Sequence, residues 1–208
     1  MVTPTLLPCT VATVRDLCEQ HHGYGGAGKV AVYAFAVYED DRPVAAFAWQ
    51  PPPPGAARAV CPEEPSAVLA LSRMVAVPKD QRRLRHISKP LRQQMKSLID
   101  RSRWPVLITY SDEGQGHTGY VYKCSGWTPT VRNTTSTYEI NGVRTSKYTA
   151  GGPSAAERVG TTTLQRWEHW ACDRGTADVH MAAAGWHRVA VPGKVWKSGN
   201  PAMTWARA

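Results

Sequence analysis

The sequence predicts an α/β fold, a mixed central sheet flanked by helices with a C-terminal extension, and three observations lead there. Val30 to Trp49 reads as two apolar and aromatic runs about a charged turn, the pattern of an antiparallel hairpin. From Val68 to Asp112 a strand, a helix and a second strand follow one another, which in one sheet makes a βαβ unit with parallel strands. Further on, Asn141-Gly142, the strongest short hairpin signal, lies between alternating segments. The 208 residues are enough for one well-buried domain of this class with additions.

Taken in order, Thr13 precedes Val14, Leu17, Cys18 and His21, the 3-4-3 spacing of an amphipathic helix, with Asp16 third after the cap. The glycines of residues 23–28 stop that helix, leaving His21 and His22 at its end and Tyr24 in a flexible loop. Val30 to Tyr38 and Val44 to Trp49 are the hairpin strands, with Glu39 to Pro43 as their turn. Pro51 to Pro54 cannot continue a sheet and predict a polyproline-like arm to about Pro65. Val68 to Val77 is a long central strand with Arg73 inside it. A charge there needs a partner or a cavity, so Arg73 is either a buried ion-pair member or a site residue.

After Pro78 a basic loop leads into a helix with Ser88 as cap, Pro90 in its first turn and Leu91, Met95, Leu98 and Ile99 on one face. The backbone N–H groups at the start of such a helix suit phosphate. Val106 opens the next strand. Beyond Trp127 come the Asn141-Gly142 hairpin, a Gly/Ser/Pro stretch from Thr149 to Ser154, a helix from about Ser154 to Asp173 with Trp167 and Trp170, and a last strand region from Trp186 to Trp205.

Lys and Arg outnumber Asp and Glu by 25 to 16, a net charge of +9 that suits a polyanionic partner or cofactor phosphates. Nine basic residues between Lys79 and Arg103, against Asp80 and Asp100, carry seven of those nine charges. This segment is either a solvated helix face or a phosphate-binding patch, for which Lys79, Arg82, Arg83, Arg85 and Lys89 are the candidates. Residues 149–208 add Arg166, Arg174, Arg188, Lys194 and Lys197 among tryptophans. That extension either contacts the polyanion or wraps the sheet.

Five scattered cysteines with no C-x-x-C pair argue against a structural zinc site. No secretory leader opens the chain and no run approaches the about 18 apolar residues of a membrane span, so the expectation is a soluble protein of a reducing cytoplasm.

The densest chemistry lies in Val106 to Trp127, VLITYSDEGQGHTGYVYKCSGW. A short strand breaks into Ser111-Asp112 and glycines, and a compact helix carrying His117, Tyr120 and Tyr122 follows. Polar groups where a strand ends and a helix begins sit at the usual ligand mouth of such a fold. Each has an ordinary alternative: Asp112 stabilises the turn, His117 caps backbone or meets a core partner, and Ser111, Tyr122 and Arg73 hydrogen-bond within the sheet. His21, His22, His117 and Asp112 could also form a two-His-one-carboxylate iron site, although they lie far apart in sequence.

Hairpin, long strand with L-S-R, basic loop and helix, strand ending in I-T-Y-S-D, then G-H-T-G-Y-V-Y-K-x-S-G-W and a Y-x-I-N-G hairpin together resemble the Mom family of phage DNA-modification proteins, members of the GNAT acyltransferase superfamily. The resemblance covers about Val14 to Tyr148, with Ser125-Gly126 departing from the residues usual before the tryptophan. It implies a GNAT-like catalytic domain over residues 1–148, with 149–208 packed on it as an extension. It also implies carbamoylmethylation of the exocyclic amine of adenine in double-stranded DNA, an anti-restriction activity of a phage or prophage protein in its bacterial host. The residues carried over are His21, His22 (where tyrosine is usual), Arg73, Ser111, Asp112, His117 and Tyr122.

The small-molecule donor is unknown, an acyl-CoA-type compound being one option. The acetyl-CoA enzymes of the superfamily carry small residues in the loop before the helix, because these let backbone N–H groups approach a diphosphate. Here Gln81 to Ser88 has no glycine, which leaves Arg82, Arg83 and Arg85 to grip DNA phosphates. Adenine's amine is a poor nucleophile, so a site must accept its proton and activate the electrophile. Asp112 or His117 is the candidate base, and Ser111 or Tyr122 the donor to the leaving group. Tyr24, Tyr120 or Trp127 is either a platform for a flipped base or part of the core. Two other functions fit the same residues: N-acyl transfer from acyl-CoA to a small amine or protein, and DNA binding without catalysis. Oligomeric state is not legible.

Overall fold

A computed structural model of the chain describes residues 4–22, 30–62, 64–99, 103–140, 143–145, 157–171, 186–195 and 201–207. Among the described residues are ten strands, β1 (Thr5–Pro8), β2 (Tyr33–Glu39), β3 (Arg42–Gln50), β4 (Val68–Ala76), β5 (Val106–Asp112), β6 (Thr128–Ile140), β7 (Val143–Thr145), β8 (Glu157–Trp170), β9 (Trp186–Val195) and β10 (Pro201–Arg207), and four α-helices, α1 (Val11–His21), α2 (Pro54–Arg58), α3 (Ser88–Ile99) and α4 (Tyr120–Cys124). The first eight strands form one sheet in the order β1-β2-β3-β4-β5-β8-β6-β7, and β9 and β10 pair separately. Only β4 and β5 run parallel, joined through α3, while the other neighbours are antiparallel. This is the expected mixed sheet flanked by helices.

Local chemistry explains most elements. Thr10 caps α1 by accepting the Thr13 N–H at 3.2 Å, so the cap falls three residues before the expected Thr13. Val14, Leu17 and Cys18 face inward from it as the spacing predicts. β2 and β3 form the expected hairpin, closed by Asp40 and Asp41 at φ 49° and 65°. Both positions of so tight a hairpin loop need the left-handed region, which Asp tolerates better than most residues. The prolines do leave the sheet, but Pro54 then starts a helical turn rather than a longer extended arm, and Ala57 and Val60 pack back on the sheet. The α3 helix takes in Ser88 as its first residue.

Alternate residues of β4 and β5 feed two cores. Leu69, Leu71 and Leu107 join Trp49, Leu91, Met95 and Leu98, whereas Val68, Ala70, Val106 and Ile108 join Ala57 and Val60. A central pair of strands buried on both faces reads as a continuous apolar run, as these do.

The helix expected from Ser154 to Asp173 is instead strand β8, hydrogen-bonded along β5 on one side and β6 on the other. Three residues apart, Trp167 and Trp170 share a helix face but lie on opposite faces of a strand. Trp167 is in the larger core and Trp170 packs against the smaller one. Arg166 and Glu168 are buried on β8 as a 2.9 Å ion pair, and Glu168 also accepts from Thr130 and Trp170. Residues 157–170 thus supply an interior strand of the main sheet.

Candidate active site

The site is built where β4 and β5 end. Their parallel pairing covers Val68–Ala70 against Val106–Ile108. One residue on, the Thr109 hydroxyl donates to the Leu71 carbonyl at 3.1 Å, a side chain standing in for a ladder bond. On the other side of β4, Ala48 pairs with Arg73 and Trp49 with Leu71, so Ser72 is an extra residue in the strand. Its hydroxyl donates to the Ala48 carbonyl at 3.1 Å. A bulge of this kind re-aims the residue beside it, here Arg73.

Arg73 is half-buried; its Nη1 donates to the Ser72 carbonyl at 2.8 Å, and among the described residues its buried Nε has no hydrogen-bond partner. Its charge is felt at the end of α1. Burial, then Arg73, then His117 hold the His22 pKa down from 6.5 to about 4, so His22 is neutral at pH 7. His117 is exposed, and its ring meets His22 edge-on with centroids 6.5 Å apart. Burial pushes the nearby Cys18 thiol up to about 11, against the pull of Arg73, which leaves it inert. Arg73, His22 and His117, from three separate elements, are therefore brought together.

The other expected site residues build the wall. Ser111 is buried and its Oγ accepts from Trp167 Nε1 at 2.9 Å. Asp112 is buried and its Oδ1 accepts from the Gly114 N–H at 2.9 Å and from the Thr162 hydroxyl. Its carbonyl accepts the His117 N–H at 3.1 Å, so Asp112 shapes the turn that presents His117. His117 precedes α4 in that turn rather than riding on the helix, because Gly119 at φ 68° interrupts the chain between them. Tyr122 is buried, its pKa raised by burial against a hydrogen bond to Thr109. Trp127 is buried too, stacked on Trp49 with centroids 6.3 Å apart, and is core rather than platform. Tyr120 is exposed, as is His21; Tyr24 lies outside the described residues.

The Asp112 carboxylate is engaged by Gly114 and Thr162. Among the described residues no three His, Cys, Asp or Glu converge as a group that could hold a metal. The two-His-one-carboxylate iron arrangement therefore does not fit.

The basic loop divides in two. Arg82 is turned inward, its Nε donating to the Val77 carbonyl at 2.9 Å and its Nη1 to that of Leu84. Arg83 pairs with Asp40 at 2.6 Å. Lys79, Arg85 and Lys89 remain exposed. Of the basic residues in the extension, Arg166 is the buried partner of Glu168; the side chains of the others lie outside the description. Sequence reasoning missed Ser72, Thr109, Thr162 and Trp167. Only the β-branched run Thr161 to Thr163, a strand signal, could have pointed toward any of them.

Among the described residues no helix is long and apolar enough to cross a membrane. Solved structures share the fold. An N-acetyltransferase from Staphylococcus aureus Mu50 is 9% identical with a TM-score of 0.51, over 82% of this chain and 100% of that one. The ribosomal-protein-S18-alanine N-acetyltransferase of Escherichia coli is 10% identical with a TM-score of 0.52, over 81% and 94%. An acetyltransferase from Bacillus subtilis in complex with CoA is 9% identical with a TM-score of 0.50, over 81% and 99%. No curated protein matches the chain in sequence. The profile of the Mom protein family matches residues 5–188, through β8 and into β9. With a fold shared by those N-acetyltransferases, the chain belongs to the Mom protein family.

Proposed function

We propose that this chain is a transferase that modifies the exocyclic amine of adenine in double-stranded DNA, with carbamoylmethyl as the group transferred, and that it serves as an anti-restriction protein of phage origin in bacterial cytoplasm. The observation that carries the reading is the convergence of Arg73, His22 and His117 at the mouth formed by β4 and β5. Family membership and the exposed Lys79, Arg85 and Lys89 support the DNA partner.

The amine nitrogen bonds to the methylene carbon of the donor, and the donor's leaving group departs with the bonding electron pair. His117, exposed at the mouth of the site, receives the amine proton. Arg73 stabilises negative charge developing on the donor through its unpartnered Nε–H. His22, held neutral by burial and by Arg73, adds no positive charge to compete for that anion. Ser111, Asp112 and Tyr122 are positioning residues, since their polar atoms are engaged within the fold.

The acetyltransferase scaffold favours a second reading, N-acyl transfer from an acyl-CoA to an amine. Expression in bacteria, digestion of resident plasmid DNA to nucleosides and mass spectrometry decide between them. A heavier deoxyadenosine with the wild type and none with His117→Ala is the expected result. Unmodified DNA from folded wild-type protein would overturn the adenine reading.

A further inference from the structure

The loop between β4 and α3 already holds an anion, and the chain itself supplies it. Glu39, at the end of β2, is 7% exposed, and its two carboxylate oxygens accept the consecutive backbone N–H groups of Arg83 and Leu84 at 2.8 and 2.6 Å. Successive N–H groups converging on one anion form a nest of the kind that holds phosphate at a strand-to-helix loop. Here the nest is full. Arg83 Nε stands 3.7 Å from the same carboxylate and its Nη2 is taken by Asp40. Arg42 clamps the loop from the hairpin side by donating to the Gln81 carbonyl at 3.0 Å, and Arg82 spends its donors on Val77 and Leu84.

We propose that Glu39 determines donor specificity by closing this loop to phosphate, so that the group donor is not held here through a phosphate or diphosphate. An entering phosphate must displace a carboxylate from two charge-assisted hydrogen bonds, or sit beside it against like charge. Expelling the carboxylate without rehydrating it leaves a buried, unpaired charge. The cations beyond this corner, Arg85 and Lys89, stay available to a partner outside the loop. The proposal concerns the loop and stands apart from the adenine reading.

Calorimetric titration of wild type, Glu39→Gln and Glu39→Ala with coenzyme A and with inorganic pyrophosphate, alongside the amide resonances of Arg83 and Leu84, tests it. The wild type is expected to show no saturable binding below about 1 mM and no shift of those two amides. Glu39→Ala, with the nest vacated, is expected to bind pyrophosphate about tenfold tighter or more, with both amides shifting. Wild-type binding near 10 μM at those amides, about three kcal/mol tighter than the expected limit, overturns the proposal. So does a folded Glu39→Ala or Glu39→Gln protein that binds no tighter than wild type. Should both variants unfold, the wild-type amides decide alone: a shift with pyrophosphate refutes the proposal and silence upholds it. Failure of the adenine reading would register in nucleoside masses instead.

Discussion

His22 is an imidazole kept neutral by its surroundings, and this makes the site acid-sensitive. Its folded pKa, about 4, lies below the 6.5 of an unconstrained histidine. Above pH 6.5 both folded and unfolded states are neutral there and nothing is lost. Between 6.5 and 4 the unfolded chain binds a proton that the folded one refuses, so stability falls as pH falls through that window. His169, its pKa also lowered chiefly by burial, acts in the same direction. Urea unfolding at pH 7 and pH 5 should therefore show a smaller loss for His22→Gln than for wild type, with the remainder due to other groups. Gly119 is the other sensitive residue. An added Cβ would stand 2.1 Å from Trp167 Cζ2, on a backbone at φ 68° that side chains resist. Gly119→Ala should cost about 2–4 kcal/mol in urea unfolding and shift tryptophan emission as Trp167 is displaced from Ser111.

At the scale of elements, the hairpin of β2 and β3, the β4-α3-β5 unit and the antiparallel pairing of β6 with β7 were legible because each is specified by neighbours in sequence. The β8 strand was not. Its signal is masked because its second half is covered on both faces and carries the Arg166–Glu168 pair, two charges that break the apolar run a covered strand should show. Two tryptophans at helical spacing completed the disguise. Of the site, Arg73, His22 and His117 were legible as residue types in a motif. The side-chain bonds that turn Ser111, Asp112 and Tyr122 into supports come from Trp167, Thr162 and Thr109, and of these only Thr162 lies in a local pattern, the β-branched run Thr161 to Thr163. The buried pair on β8 makes a test. Glu168→Gln leaves Arg166 charged and unpaired in the interior, and should cost about 3–5 kcal/mol in urea unfolding. By contrast the exposed Arg132–Glu113 pair should contribute about 1 kcal/mol or less when Arg132 is replaced by Ala.

For the molecule as a whole, charge and topology set what can be altered. Seven of the nine net positive charges lie between Lys79 and Arg103, yet Arg82 and Arg83 are engaged within the fold. Salt dependence of duplex binding should accordingly respond to Arg85→Ala and Lys89→Ala. Each lost phosphate contact should lower the slope of log K against log salt by about 0.9, read by fluorescence anisotropy.

Placement of β8 also fixes the order in which the protein can become active. Its partners on β5 lie more than fifty residues earlier in the chain, so the sheet cannot be zipped up from one end as it emerges from the ribosome. Until β8 arrives, β5 and β6 each present an open edge. Thr162, which holds Asp112 and through it the turn of His117, is missing as well. The last strand to enter the sheet is thus the one that sets the turn of His117. A partly synthesised chain carries every candidate site side chain but lacks their arrangement until the fold has closed.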